Sequence, residues 1–177
     1  MEEMEVPTEH LHEHIKEQAE ENRGGWSMYA AVSTAIMAVF AALGSLTAGH
    51  HSNEALIAQI KSSDCWAHYQ AKGIKYEIAE SIILQHATAN IEAPAAIKAK
   101  KEQYKTDQEE LMKDAKEAEN ESAAHLKRHV TIALSVTLFQ IAIAISAIAM
   151  LTKRAFLWYF SLVLSVAGAV LFFMGNF

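Results

Sequence analysis

The sequence predicts an all-α membrane protein: three transmembrane helices, with a long antiparallel helical hairpin between the first and second. Three observations predict it. Charge is crowded into two regions. Residues 1–25 carry eight acidic and two basic side chains, residues 50–129 carry thirteen acidic and eleven basic, and the rest of the chain holds only Lys153 and Arg154. The three stretches left without charge are each long enough to cross a bilayer, for which ~20 apolar residues suffice. Between the first two stretches, helical periodicity is sustained with only Gly73 and Pro94 as interior breakers.

This distribution excludes a simple soluble globular domain. The chain carries a net charge of −6 and no segment has a strong positive excess, so a nucleic-acid binder driven by a basic patch is excluded too. The single Cys65 excludes an intramolecular disulfide framework, and there is no CxxC pair for zinc.

The first 25 residues form an acidic leader containing HLHEH. His10 and His14 lie one helical turn apart, a spacing that can chelate a divalent metal, but the leader offers no rigid context for a site. The first span falls within 26–49, with Ser27 to Gly49 giving 23 uncharged residues. It is too long for a signal peptide and follows an acidic leader, so it is expected to be an uncleaved anchor. The second span is 130–151 and the third 155–175, separated by Lys153-Arg154. Trp26 and Tyr29 open the first span, and Trp158 and Tyr159 lie near the start of the third, where amphipathic rings favour the interface. Small residues recur at four-residue spacing, as in Ala30, Thr34, Ala38 and Ala42, and such rows let helices approach in lipid.

Residues 50–129 are expected to form the hairpin, turning near 89–94, with helices over Ser52–Thr88 and Ala93–His129 and Pro94 just inside the second helix. Folding the chain at Asn90 sets Tyr76 against Tyr104, Ile83 against Ile97, Tyr69 against Leu111, Trp66 beside Ala115 and His51 beside His129. Trp66, Tyr69, Gly73, Tyr76, Glu80 and Ile83 then form one seam, and Ile97, Tyr104, Leu111, Ala118 and His125 the facing one. Two seams in one register are what an antiparallel coiled coil requires. The first helix has a second apolar stripe: Leu56, Ile60, Ala67, Ile74, Ile78 and Ile82. At ~100° per residue, Ile74 points away from Tyr76, so a helix apolar on two faces needs two partners. Ile60, Ala67, Ile74 and Ile78 are therefore the expected oligomer interface, facing another copy or another protein subunit.

The candidate sites follow from the nine histidines and one amide. His50 and His51 follow the first span, and His125 and His129 precede the second. The register brings all four together with Glu54 and Glu121, a donor set that can hold a divalent metal, though interfacial anchoring by amphipathic rings needs no metal at all. The sequence calls for no cofactor beyond that. Gln140 lies in the middle of the second span, where an amide needs an intramembrane polar contact. No catalytic constellation is expected: GxSxG, a P-loop and HExxH are all missing, and Cys65 with His68 lies on a helix surface without a pocket.

The runs AGHHSNEALIAQIKSSDCWAHYQAKGIK, HLKRH, LFQIAIAISAIAMLTKR and LWYFSLVLSVAG resemble the bacterial membrane proteins grouped as domain of unknown function 4337. The resemblance covers nearly the whole chain. It implies a small bacterial inner-membrane protein and carries over no activity and no functional residue. The positive flank Lys153-Arg154 is offset across the second span by Lys127-Arg128, so Arg23 and the third span decide, and the N-terminus is expected in the cytoplasm with the hairpin periplasmic. The expected function is a non-enzymatic, homo-oligomeric scaffold with a coiled-coil stalk. The alternatives are an accessory or metal-bearing subunit of a larger membrane complex, and an oligomeric channel or pore.

Overall fold

The computed structural model describes residues 25–176. They form three α-helices, with no strand among the described residues: α1 (Trp26–Thr88), α2 (Ala95–Thr152) and α3 (Ala155–Asn176). Each helix contains a segment long and apolar enough to cross a membrane. Helix α1 is 63 residues long and α2 is 58, so neither breaks where the uncharged sequence gives way to the charged one. Gly49 and Ser52 are both helical. Ala, Glu and Lys are the commonest residues of the charged segment 50–129, and they lose little freedom in a helix.

Both helix ends that face a turn close in the same way. The Asn90 N–H donates to the Ala87 carbonyl (3.1 Å), and the Ile91 N–H to the His86 carbonyl (2.9 Å). Asn90 has φ 54°, the left-handed value this double closure needs and one that Asn tolerates well. At the end of α2, Lys153 (φ 53°) takes the same role, with the Arg154 N–H donating to the Ala149 carbonyl (3.1 Å). The carbonyl of Pro94 accepts from Ile97 (2.9 Å) and Lys98 (3.3 Å). Pro94 thus caps α2 from outside, and the helix starts at Ala95 rather than Ala93. Pro suits either place, because it has no N–H to leave unsatisfied.

The chain divides into two compact units. One comprises the apolar segments up to Leu46 and from Thr131 onward. Its core is Met37, Ala41, Phe139 and Ala142, with Phe40 and Phe172 packed against them. Phe40 stacks on Phe139 at 5.9 Å and meets Phe172 edge-on at 6.1 Å. Close packing here depends on glycine. A Cβ on Gly44 would stand 2.7 Å from Val136 Cγ2, and one on Gly168 would stand 3.3 Å from the Ser135 carbonyl oxygen. The buried line on α1 is Ala30, Met37, Ala41 and Gly44, whereas Ala38 and Ala42 are exposed. A strict four-residue row advances ~40° per step on a helix of 3.6 residues per turn, so it leaves the packed face after one or two steps.

The second unit is residues 47–130. Its two helical segments touch at Ala55 and Ser122, Tyr69 and Gln108, Lys72 and Asp107, and Glu80 and Lys101. One number falls as the other rises, so within this unit the segments run in opposite directions. The deepest positions are small: Ala48, Ala55, Ala58, Ser62 and Ala79 on α1, and Ala115, Ala118 and Ser122 on α2. The aromatic seam residues Trp66, Tyr69, Tyr76 and Tyr104 are only half-buried. Tyr76 and Tyr104 each carry a lysine from the opposite helix: Lys101 lies 5.0 Å from the Tyr76 ring centre and Lys72 lies 5.5 Å from that of Tyr104. These cations are fastened in turn to Glu80 (2.9 Å) and Asp107 (2.6 Å). The bond to Glu80 raises the Lys101 pKa.

Ser62 is fully buried in the alanine seam, and its hydroxyl has no hydrogen-bond partner. An unpaired buried hydroxyl costs ~1–3 kcal/mol relative to one left in water. Ser62→Ala is expected to stabilise this unit by about 1 kcal/mol, read as a higher melting temperature in circular dichroism. Ser62→Leu is expected to lower it, because a larger side chain cannot enter a seam of alanines.

Candidate functional site

His50, His51, His125 and His129 lie at the two ends of residues 47–130. His51 is buried on the α1 side, where the three-four spacing Ala48–His51–Ala55–Ala58 turns it into the seam. His125 reaches it from α2, three residues after Ser122. The two Nδ1 atoms are 3.1 Å apart and the ring centres 5.3 Å. One nitrogen must donate and the other accept, so this bond holds a single proton. His129 does not join them. Its Nδ1–H donates to the Ala48 carbonyl (2.8 Å), bridging the two helices one turn further along. His50 is exposed, 5.6 Å from His51 between ring centres, with its Nδ1 4.0 Å from Glu54 Oε1. Glu121 is exposed.

His51 therefore faces His125 where the sequence register set it beside His129. The difference is one helical turn, the spacing between His125 and His129 on α2. Among the described residues, no three His, Cys, Asp or Glu side chains are grouped to hold one metal ion. The Nδ1 atoms of His51 and His125 are spent on each other, and that of His129 on a carbonyl. His10, His12 and His14 lie outside the described residues.

Burial lowers the His51 pKa, with His125, Arg128 and His50 adding repulsion and Glu54 opposing it. From sequence Arg128 counts only as a positive flank of the second span; the signal for its effect on His51 is its place between His125 and His129, on a helix expected to face His51.

The other candidate residues lie apart from the histidines. Ile60, Ile74 and Ile78 are 62%, 63% and 55% exposed, with Leu56 and Ala67 also exposed and Ile82 half-buried. A groove of about 630 Å³ runs beside Ile74 and Ile78, floored by Gly73 and Gln108 and walled by Tyr69, Glu77 and Ile82. Gly73 is what keeps this floor low. The Gln108 amide crosses over it to the Tyr69 carbonyl (3.3 Å), and a Cβ on Gly73 would stand 2.7 Å from that amide nitrogen. In the other unit, Gln140 is exposed. Thr34 and Ser146 hydrogen-bond at 2.7 Å, and the Trp158 Nε1–H donates to Ser33 Oγ (3.1 Å).

The lowered His51 pKa has a pH consequence. The unfolded chain takes up this proton near pH 6.5, and the folded chain takes it up only at lower pH. Between those values the unfolded state binds more protons, so stability falls as pH drops through 6.5 and is recovered above it. Melting temperature is expected to decrease from pH 7.5 to 5.5, and His51→Gln is expected to flatten that dependence. An unchanged slope in the variant would assign it to another group.

Comparison with curated proteins finds no match, and comparison with solved structures finds none. The family described as Domain of unknown function (DUF4337) matches residues 26–177, from the first residue of α1 to the last of the chain. The chain thus belongs to the DUF4337 family, whose membership covers all three helices and leaves the activity open.

Proposed function

We propose that this is a multi-pass protein of the bacterial inner membrane that acts as a non-enzymatic, homo-oligomeric scaffold. In this reading α1, α2 and α3 each cross the bilayer once, and residues 47–130 form an extramembrane antiparallel hairpin that bundles with its copies into a coiled-coil stalk. One observation carries it: the isoleucine ridge Ile60, Ile74 and Ile78 is more than half exposed while the seam of the same helix is already filled from α2. A water-facing ridge of large apolar side chains flanked by a groove is the surface that a partner helix covers. The same face on another copy is self-complementary under two-fold symmetry, which a foreign partner would have to match separately.

The ridge gives the test. Ile74→Glu with Ile78→Glu places carboxylates where burial would leave them unpaired. The double variant is expected to lose oligomer mass in detergent or nanodiscs while keeping the wild-type helical signal. A variant that keeps both mass and helicity would move the contact out of the stalk.

The proposed orientation has the N-terminus and the turn at Lys153 and Arg154 in the cytoplasm and residues 47–130 in the periplasm; Lys127 and Arg128 balance Lys153 and Arg154 across the second span, and Arg23 and the uncharged far end of the third span favour this side. Cys65 is the chain's single cysteine and is half-buried, so it reports the side without engineering. A membrane-impermeant maleimide is expected to label Cys65 in intact spheroplasts. Labelling only after lysis would reverse the topology.

A further inference from the structure

Gln140 lies near the centre of the uncharged run 130–151 of α2, with about 15 Å of helix on either side at ~1.5 Å per residue. In a hydrocarbon layer ~30 Å thick that depth is the midplane, beyond the reach of a Gln side chain to either headgroup region. A carboxamide there needs hydrogen-bond partners, because lipid supplies none.

The chain supplies none either. Several other polar groups of this unit close on one another or on their own helix: Thr34 with Ser146, Trp158 with Ser33, Ser135 on the Ile132 carbonyl and Ser161 on the Trp158 carbonyl. Gln140 is exposed, and its amide bonds to no other described residue. The exposed residues one turn away are Thr137 and Ala144. The Thr137 hydroxyl already donates to the Ala133 carbonyl (3.0 Å), so it does not satisfy the amide. Thr137 and Ala144 are small, and small neighbours let a second helix come close enough for the amide to reach it.

We propose that Gln140 is the contact between two copies of this chain within the membrane, carboxamide to carboxamide. The choice of a second copy rests on the chemistry of the group. An amide carries both donors and acceptors, so two identical amides facing each other across a two-fold axis exchange two N–H···O bonds. A carboxylate or a cation on a different protein would satisfy only one side of that set, and a single hydroxyl can exchange one donated and one accepted bond but cannot pair both amide edges as a second carboxamide does. This inference rests on the homo-oligomer reading and names the residue that joins the copies in the bilayer.

The test uses the full chain. For association in liposomes, wild type and Gln140→Met are labelled at Cys65 with donor and acceptor dyes and diluted with lipid. Met conserves the length of Gln, lacks the amide and is better tolerated by lipid, so the variant folds. Its association is expected to weaken about three- to thirtyfold, the range for interhelical polar contacts in membranes. In native membranes, Gln140→Cys in a Cys65→Ser background is expected to give a disulfide-linked dimer on oxidation, whereas Val166→Cys on the exposed face of α3 in the same background is not. Wild-type association by Gln140→Met while the Ile74→Glu/Ile78→Glu chain dissociates would overturn this inference and leave the stalk intact. Weakened association and position-140 cross-linking, with assembly unaffected by the isoleucine variant, would support Gln140 and overturn the stalk interface. A position-140 adduct with a different protein in place of the dimer would overturn the second-copy assignment.

Discussion

Close approach between helix backbones is the constraint on which the rest of the structure depends. In residues 47–130 three side chains reach across to a carbonyl of the opposite helix: Ser122 to Ala55, Gln108 to Tyr69 and His129 to Ala48. Such bonds form only where the facing side chains are small, and Ala48, Ala55, Ala58, Ala115 and Ala118 are buried here. In the other unit the same demand falls on glycine, since Cβ atoms at Gly44 and Gly175 would meet Val136 and Ile132 at 2.7 Å and 2.6 Å. Large residues are displaced outward as a result. That is why the tyrosines are half-buried rather than central.

A seam of alanines is weak glue in water, because each buries little apolar area. What adds to it in residues 47–130 is polar and directional. Lys72 with Asp107 and Lys101 with Glu80 bridge the helices, and each lysine also lies over a tyrosine ring. Partly exposed ion pairs of this kind contribute ~1 kcal/mol apiece, so their value lies more in setting which residues face each other than in holding the helices together. The His51–His125 bond adds a further constraint at one end of the unit, one that a second proton would break. A two-helix unit held this lightly has reason to bury its remaining apolar face against something else, which is the physical basis for the scaffold proposal.

Several polar groups in the apolar unit are satisfied within one chain. The hydroxyls of Thr34, Ser146 and Ser161 and the Trp158 indole find partners inside it. Gln140 is long and faces outward, so the three helices of one copy leave its needs unmet. The membrane makes that an assembly problem, because a group that is harmless on a water-facing helix becomes a demand for a partner in hydrocarbon.

The sequence by itself determined the helical class, the three apolar segments, the turn near Asn90 and Pro94, and membership of the family. Each follows from local features: charge-free length, periodicity, and turn residues whose preferences need no neighbour. The exposure of Ile60, Ile74 and Ile78 was also legible, since the angle between that stripe and the seam is set by the helix alone. Tertiary structure alone decided the rest. His51 meets His125 and not His129 because an alanine seam lets the helices settle into a register finer than a seven-residue repeat can specify. Lys72 and Lys101 lie over the rings of Tyr104 and Tyr76, a pairing that depends on carboxylates of the opposite helix and that the apolar spacing alone does not carry. Gln140 faces outward because the packing of α1 and α3 on α2 claims Phe139 and Ala142, the residues flanking its face. Which side of a helix is claimed depends on neighbours far away in sequence, and no local pattern carries that information.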